Sequence, residues 1–272
     1  MSALEYVGGF TTAAGAALTA VTSNGGPLTV RNFTKGDAWL LQVWAQKQVN
    51  GGTTRIRSPR FHDNTNGISL RNNFPSAGGG RQILMPYGFP QRLIAQDTLT
   101  WESSGSATAG DIENSGGLIL YENLDGANAR FIDLTQLESR MVNIFTVVHA
   151  LIGGTAGVFG AAQALSAAAS GDTTKANTDY ALLGMTMSES TPINACTVRV
   201  TGVDTGNLGI GIPVIPESND ITANWFLDLT KKYGRPLIPV INSANKGGTV
   251  FDVLNDENAN TVTVTSIFAE LR

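Results

Sequence analysis

Charged side chains are scarce in this chain of 272 residues. Asp, Glu, Lys and Arg make up 15% of it, whereas an ordinary soluble domain carries about 25%. The formal net charge is −4 and the isoelectric point is about 5.2, so the composition lacks the basic surface of nucleic-acid-binding domains and predicts no specific nucleic-acid site. The first five residues contain no basic cluster, and we therefore expect no secretory signal peptide.

Metal-ligating and nucleophilic residues are also few. A single cysteine, Cys196, excludes an internal disulfide and a zinc site built from thiolates. The two histidines, His62 and His149, form no His-x-His pair, which argues against a metal-binding double cupin. The chain has neither a Gly-x-Ser-x-Gly elbow nor a phosphate loop ending in Gly-Lys-Ser/Thr. We therefore predict that the protein is not an enzyme and uses no cofactor or metal.

Small and polar uncharged residues are abundant instead. The chain contains 31 Gly, 29 Thr, 21 Asn and 17 Ser, while 42% of its residues are hydrophobic. Gly, Asn and Ser favour turns and Thr favours strands, so this composition indicates many short strands around a sizeable core. An all-β sandwich of this length can fold as one unit.

Short apolar or alternating segments, bounded by turn residues, predict strands along most of the chain. These predicted strands are 38–45, 53–57, 68–70, 81–84, 93–95, 98–101, 118–124, 181–187, 197–201, 212–215, 237–241, 249–254 and 261–268. Helical spacing of apolar residues predicts one helix from Leu134 to Leu151, with Asp133 as its N-cap, and another from Asn219 to Tyr233. The second helix is expected to bury Trp225, Phe226 and Leu229 and to end at Gly234.

Two long segments carry no charge at all, Tyr6–Val30 and Met141–Gly171. The second is 31 residues long, enough to span a bilayer. It contains little Leu or Ile after Ile152 and much Ala, Ser and Thr, which favours a helix packed on the β modules followed by a buried extended segment. A weaker alternative places these segments on an inner surface close to lipid.

The two halves show the same features in the same order at an offset of 144 residues. Thr53-Thr54-Arg55-Ile56 falls on Thr197-Val198-Arg199-Val200, and Leu118-Ile119-Leu120 falls on Val262-Thr263-Val264. The apolar run Ala38-Trp39-Leu40-Leu41 corresponds to Ala181-Leu182-Leu183 with a small shift. We interpret this order as a duplicated β module of about eight strands per half, which is the size of a jelly roll.

In these paired runs, and in the helix inserted in the second half, the chain resembles the double jelly-roll major capsid proteins of tailless, often membrane-containing icosahedral viruses. The resemblance is architectural and covers about residues 30–272. It implies an N-terminal apolar arm at 1–30, a first jelly roll at 31–133, a connector rich in helix, Ala and Gly at 134–178, and a second jelly roll at 179–272.

The same resemblance implies a function. Such proteins form homotrimers of near-hexagonal outline that tile an icosahedral shell, so the expected location is the virion. The implied partners are other copies of the chain, further virion proteins such as penton and spike proteins, and an internal lipid membrane. The alternatives are a carbohydrate- or receptor-binding β-sandwich, such as a spike, fibre or lectin module, and a β-sandwich hydrolase.

Only weak site signals accompany these alternatives. The binding residues are unknown from the sequence; of the four tryptophans, Trp44 lies at a strand end and is the best candidate for an exposed ring that stacks on a sugar. Asp97 with Glu102 is one candidate for the carboxylate pair that a glycosidase would need, but the pattern is nonspecific and favours solvated acids in turns. The cluster Asp252, Asn255, Asp256 and Glu257 and the segment 63–67 are interpreted as turns, because the spacing of a calcium loop is absent. Cys196 is expected to be a buried small hydrophobe.

Overall fold

A computed structural model of the chain describes residues 3–12, 17–23, 28–33, 37–47, 52–72, 81–84, 90–104, 112–122, 133–189 and 191–272. The strands of the first half are β1 (Ala3–Thr12), β2 (Thr19–Ala20), β3 (Thr22–Ser23), β4 (Ala38–Lys47), β5 (Gly52–Arg57), β6 (Ile68–Asn72), β7 (Arg81–Leu84), β8 (Gln91–Leu93), β9 (Thr100–Ser103) and β10 (Ile112–Tyr121). The strands of the second half are β11 (Met141–Ile152), β12 (Gln163–Ala164), β13 (Asp179–Glu189), β14 (Cys196–Thr201), β15 (Ile210–Pro213), β16 (Val240–Asn242), β17 (Val250–Asn255) and β18 (Thr261–Leu271). The α-helices are α1 (Leu134–Arg140), α2 (Asn219–Thr222) and α3 (Trp225–Tyr233).

The second half folds as an eight-stranded jelly roll. One of its sheets has the strand order β11-β18-β13-β16, and the other has the order β12-β17-β14-β15. The first strand therefore pairs with the last, the second with the seventh, the third with the sixth and the fourth with the fifth, all antiparallel. This connectivity is a ribbon of paired strands rolled into two facing sheets.

The first half repeats this connectivity. Its two sheets have the orders β3-β1-β10-β4-β7, with β8 also pairing with β4, and β2-β9-β5-β6. β3 is an additional short edge strand, and β7 and β8 both pair with β4 where the second roll has β16 alone. Otherwise the strands of the first half occupy the same positions, in the same order, as β11 to β18 in the second roll. The predicted all-β fold of two tandem jelly rolls is therefore confirmed.

An ion pair across two strands repeats in both rolls. β5 and β14 occupy the same place in their sheets and lie 144 residues apart, which is the offset found in the sequence. The Arg55 Nε lies 2.7 Å from Glu102 Oε2, and the Arg199 Nε lies 3.0 Å from Asp252 Oδ1. The acidic residues lie directly opposite the arginines on β9 and β17.

A β-bulge also repeats. The pairing of β4 with β10 skips Leu41, and the pairing of β13 with β18 skips Leu183. In each case the skipped residue is the second of a Leu-Leu pair, Leu40-Leu41 or Leu182-Leu183. Because a bulge re-aims the side chains that follow it, this shared irregularity sets the same register of inward and outward residues in both rolls.

Two buried clusters hold the molecule together. The smaller one fills the first roll and includes Val43, Leu99, Trp101 and Ile119. The larger one fills the second roll and continues into the first, where it includes residues on the outer face of the β1-β10-β4 sheet, such as Leu118. The outer face of the first roll is therefore part of the molecular core.

The predicted helix over 134–151 is wrong beyond Arg140. Asp133 caps α1 as expected, its side chain accepting a hydrogen bond from the Gln136 backbone N–H at 2.9 Å. Met141–Ile152 then forms β11, which pairs along its whole length with β18. The segment is rich in β-branched residues, and a sheet partner outweighs its helical spacing.

The second predicted helix is broken at residues 223–224 into α2 and α3. Its buried residues are as predicted, and Gly234 ends it in the left-handed conformation with φ 62°. Asn219 does not serve as an N-cap, because its side chain bonds the backbone N–H and C=O of Met187 on β13.

The domain bounds at 30, 133 and 178 stay predictions, but the expected contents of two segments change. The N-terminal arm expected at 1–30 contains β1, which pairs with β10 over all ten of its residues. The connector expected at 134–178 contains β11 and β12, which are strands of the second roll.

Candidate functional site

Trp44 is buried, so the structure rules out this candidate for an exposed binding residue. Its side chain is fully buried between the two rolls, with its ring centroid 5.8 Å from that of Tyr6 and 6.3 Å from that of Trp225. Gly116 lies opposite it on β10, and a Cβ there would come within 2.6 Å of the indole. The missing side chain at Gly116 thus makes room for the tryptophan.

The two histidines lie in different surroundings and are not brought into a common site. His62 is in an exposed turn. His149 faces the interior of the second roll from β11, stacked on Phe251 at 4.7 Å, with its Nε2 3.3 Å from the Ala164 carbonyl oxygen. Burial lowers the pKa of His149. Among the described residues, no group of three or more His, Cys, Asp or Glu could hold a metal ion.

The acidic pair considered for glycoside hydrolysis is engaged in other contacts. Asp97 accepts a hydrogen bond from the Ser58 hydroxyl. Glu102 lies between Arg55 and Arg57 on the outer face of its sheet. Burial opposes its ionisation, but the hydrogen bonds from both arginines outweigh burial and lower the pKa of Glu102. A general acid requires the opposite shift.

The acidic turn at the end of β17 also has structural partners. Asp252 pairs with Arg199, although burial still raises the pKa of Asp252. Asp256 accepts hydrogen bonds from the backbone N–H groups of Asn194 and Ala195. In the other segment, Asp63 accepts from the N–H groups of the second and third residues after it, as expected of a turn.

Cys196 is buried, as expected, and burial raises the pKa of its thiol well above the ordinary value. Its backbone is held by Gln46 of the first roll. The Gln46 Nε2 donates to the Cys196 carbonyl oxygen at 2.8 Å, and the Gln46 Oε1 accepts from the Cys196 N–H at 3.1 Å. Asn114 extends this contact, because its Nδ2 donates both to Gln46 Oε1 and to Thr197 Oγ1.

Close backbone approach completes the contact between the rolls. The Tyr6 N–H donates to the Gly209 carbonyl oxygen at 2.7 Å. The Tyr6 ring lies over Gly211 of β15, so a Cβ at this glycine would come within 2.5 Å of the ring. On the other side, the Tyr233 hydroxyl donates to the Leu41 carbonyl oxygen at 2.5 Å. The outer face of the first roll is thus covered by β14, β15 and α3 of the second.

The corresponding outer face of the second roll is covered only in part among the described residues, because the turn between α2 and α3 packs over Gly184 of β13, where a Cβ would come within 2.3 Å of the Thr222 carbonyl oxygen. The uncovered part consists of alternate residues of three neighbouring strands, from Ile144 to Ile152 on β11, from Thr261 to Thr265 on β18, and Thr186 and Ser188 on β13. None of these residues is charged. We call this surface the open face. Ile144 is 63% exposed and Ile152 is 49% exposed, while alternate residues such as Val147 point inward and are buried.

A shallow depression of about 380 Å³ lies elsewhere on the second roll, lined by Ser166, Asn177, Ser243, Lys246 and small neighbours. Lys246 forms an ion pair with Asp172 beside it. The depression therefore presents hydroxyl and amide groups and one neutralised cation.

The uncharged segment Met141–Gly171 begins with a strand and not with a helix. Within the described ranges, no helix is both long enough and apolar enough to cross a membrane.

No protein-family model and no curated protein matches this chain. Several solved chains resemble it weakly, including the following two. One is an atomic structure of Sulfolobus Turreted Icosahedral Virus, with a TM-score of 0.25 and 11% identity over 96% of this chain and 59% of the matched chain. The other is a crystal structure of the STIV MCP, with a TM-score of 0.22 and 7% identity over 99% of this chain and 96% of that one. The chain thus spans about three fifths of the length of the first matched chain.

Proposed function

We propose that this protein is the major capsid subunit of an icosahedral virus, located in the virion, and that it has no enzymatic role. The observation that carries the proposal is the union of two jelly rolls of one connectivity, side by side in a single chain and joined by a continuous buried cluster. Three such chains supply six similar modules around one axis. The two rolls of each chain differ in sequence, so they can meet different neighbours in a shell.

The partners in this proposal are other copies of the chain first, then penton and spike proteins, and an internal membrane where one is present. Loops at one end of each roll would face outward and loops at the other end inward. The low content of charge suits a subunit that buries much of its surface against copies of itself, because the cores of interfaces are depleted in charged residues.

Light scattering combined with negative-stain microscopy tests this proposal. We expect particles with a mass near three times 28.6 kDa and a near-hexagonal outline, which associate further as the protein concentration rises. A protein that stays monomeric at all accessible concentrations, with no such particles on the grid, would overturn the proposal.

The alternative of a carbohydrate- or receptor-binding module loses the residue that motivated it, because Trp44 is buried. A broad glycan array distinguishes the two functions. The capsid proposal predicts no specific glycan binding by the isolated protein, whereas saturable binding by a protein that stays monomeric would favour the binding module.

A further inference from the structure

We propose that the open face of the second roll binds the first roll of another copy of this chain, head to tail, and that it repeats the contact already made between the two rolls within the chain. The inference rests on the proposed function, since it names the surface through which copies associate. It follows from three observations on equivalent residues of the two rolls.

The first observation is the position of the open face in the duplicated fold. In the first roll, Tyr6 pairs with Leu118, the last residue before the β10 register shift. In the second roll, Thr146 pairs with Ile267 at the corresponding shift between β13 and β18. Thr146 is therefore the counterpart of Tyr6. The open face is the counterpart of the face that the second roll covers within the chain.

The second observation is the chemistry of the open face. It presents isoleucine, valine, alanine, threonine and serine side chains, and it includes Ile144, the most exposed large hydrophobic residue of the described chain. β11 is also an edge strand. Among the described residues, the segment 163–170 bonds this edge only at Val148 and Ala150. An apolar face next to a partly unpaired strand edge favours association with another protein surface.

The third observation is a matching surface on the first roll. Within the chain, Tyr6 packs on Gly211, which lies opposite Arg199 of the repeated ion pair. The residue opposite Arg55 in the first roll is Ser69 of β6, and it is exposed. Ser69 is therefore the counterpart of Gly211. A chain thus carries both halves of a second roll-to-roll contact, one on each roll.

A contact between two different surfaces of the same chain cannot be satisfied by a simple two-fold dimer. It produces either a closed ring or an open filament, depending on the rotation between neighbours. A ring of six rolls closes with three chains, which is the assembly of the proposed function. A second copy of this chain is therefore the occupant that suits both surfaces at once.

Disulfide trapping tests the pairing directly. The variant carrying both Thr146→Cys and Ser69→Cys places one thiol on each proposed surface, and the natural Cys196 is buried and does not compete. We expect mild oxidation to convert at least half of the double variant into cross-linked dimers and trimers on a non-reducing gel, with no larger species. Each single variant should remain uncross-linked.

The outcomes separate the inference from the proposed function. If the wild-type protein assembles but the double variant does not cross-link, the open face is not the contact and the capsid function stands. If Thr146→Cys alone gives dimers, like faces meet and the head-to-tail arrangement is overturned. If the wild-type protein is monomeric throughout, both proposals fail.

A charge placed on the open face provides an independent measurement. We expect Ile144→Lys to weaken self-association at least tenfold in analytical ultracentrifugation, because the lysine would have to lose its water in the contact. Val203→Lys is the matched control, since Val203 is 58% exposed and lies in the loop between β14 and β15, off the open face. Equal association constants for the two variants would contradict the inference.

Discussion

Gln46 joins the two rolls through a contact that imitates a strand pair. Its side-chain amide donates to the carbonyl oxygen of Cys196 and accepts from the N–H of the same residue. A polar side chain at the end of an apolar strand is usually solvated, so the sequence does not predict that Gln46 binds a backbone of the other roll. The burial of Trp44 has the same origin, since the sequence predicts the strand but not the roll that covers its outer face.

His149 makes stability depend on pH. Burial holds its pKa in the folded protein below the ordinary value, so the unfolded chain binds a proton more readily. The free energy of unfolding should therefore fall as pH drops from about 7.5 to 5, by up to about 1.4 kcal/mol for each tenfold difference in proton affinity. We expect the variant His149→Phe, which keeps an aromatic ring against Phe251, to lose the contribution of His149 to this pH dependence. Urea unfolding at about pH 7.5 and about pH 5 measures that contribution.

The exposed histidine provides the control for this measurement. His62→Phe should retain the pH dependence of the wild-type protein, because His62 lies in a solvent-exposed turn. A His149→Phe variant whose unfolding free energy falls in parallel with that of the wild type between the two pH values would show that carboxyl groups, and not His149, cause the dependence.

β11 shows why a correct fold class can coexist with a wrong element. Apolar residues on the inward face and apolar residues on the open face together cover both sides of the strand. Strict alternation is therefore hidden, and the sum of the two faces imitates helical spacing. By contrast, β18 alternates Thr with Val from Thr261 onward and was predicted from its sequence. The pairing of Met141–Ile152 with β18, a strand more than 100 residues away, makes this segment a strand, and a local sequence pattern does not contain that information.

The repeated strand pairs predict unequal responses to one substitution. Asp252 has Arg199 as its partner across the strands, whereas Glu102 is shared by Arg55 and Arg57. We expect Arg199→Met to lower the free energy of unfolding by about 3 kcal/mol at pH 7, because it leaves a buried carboxylate without its counter-charge. The corresponding Arg55→Met should cost less than about 1 kcal/mol. Urea unfolding of both variants gives the comparison.

A second condition identifies the cause of this difference. At pH 4 the destabilisation by Arg199→Met should shrink, because Asp252, whose pKa burial already raises, can take up a proton once the arginine is gone. If both variants lose the same free energy at pH 7, the two pairs are equivalent in strength and the extra partner of Glu102 has no effect.

At the scale of the whole molecule, the two rolls share one buried apolar cluster, so each roll covers apolar residues of the other. The duplication and the jelly-roll class follow from the order of strands and turns, which the sequence displays in both halves. The docking of the two rolls does not follow from that order. It depends on Tyr6 packing over Gly211 and Trp44 packing over Gly116, and these residues are far apart in the sequence and come together only in the folded protein.

This shared core predicts that the two rolls unfold together. The larger buried cluster runs from Phe251 and Val264 in the second roll to Leu118 and Leu120 in the first, so opening either roll exposes apolar surface of the other. Hydrogen exchange followed by mass spectrometry at increasing urea should therefore give the central amides of β10 and β18 the same opening free energy and the same dependence on denaturant.

Separate domains joined by a linker would behave otherwise, with one of the two strands exchanging at a lower urea concentration while the other stays protected. That result would mean that the contact through Gln46 and Tyr6 adds little to the stability of either roll. A common transition would mean that the chain acts as one rigid pair of modules, which is the property that a shell subunit with two different faces requires.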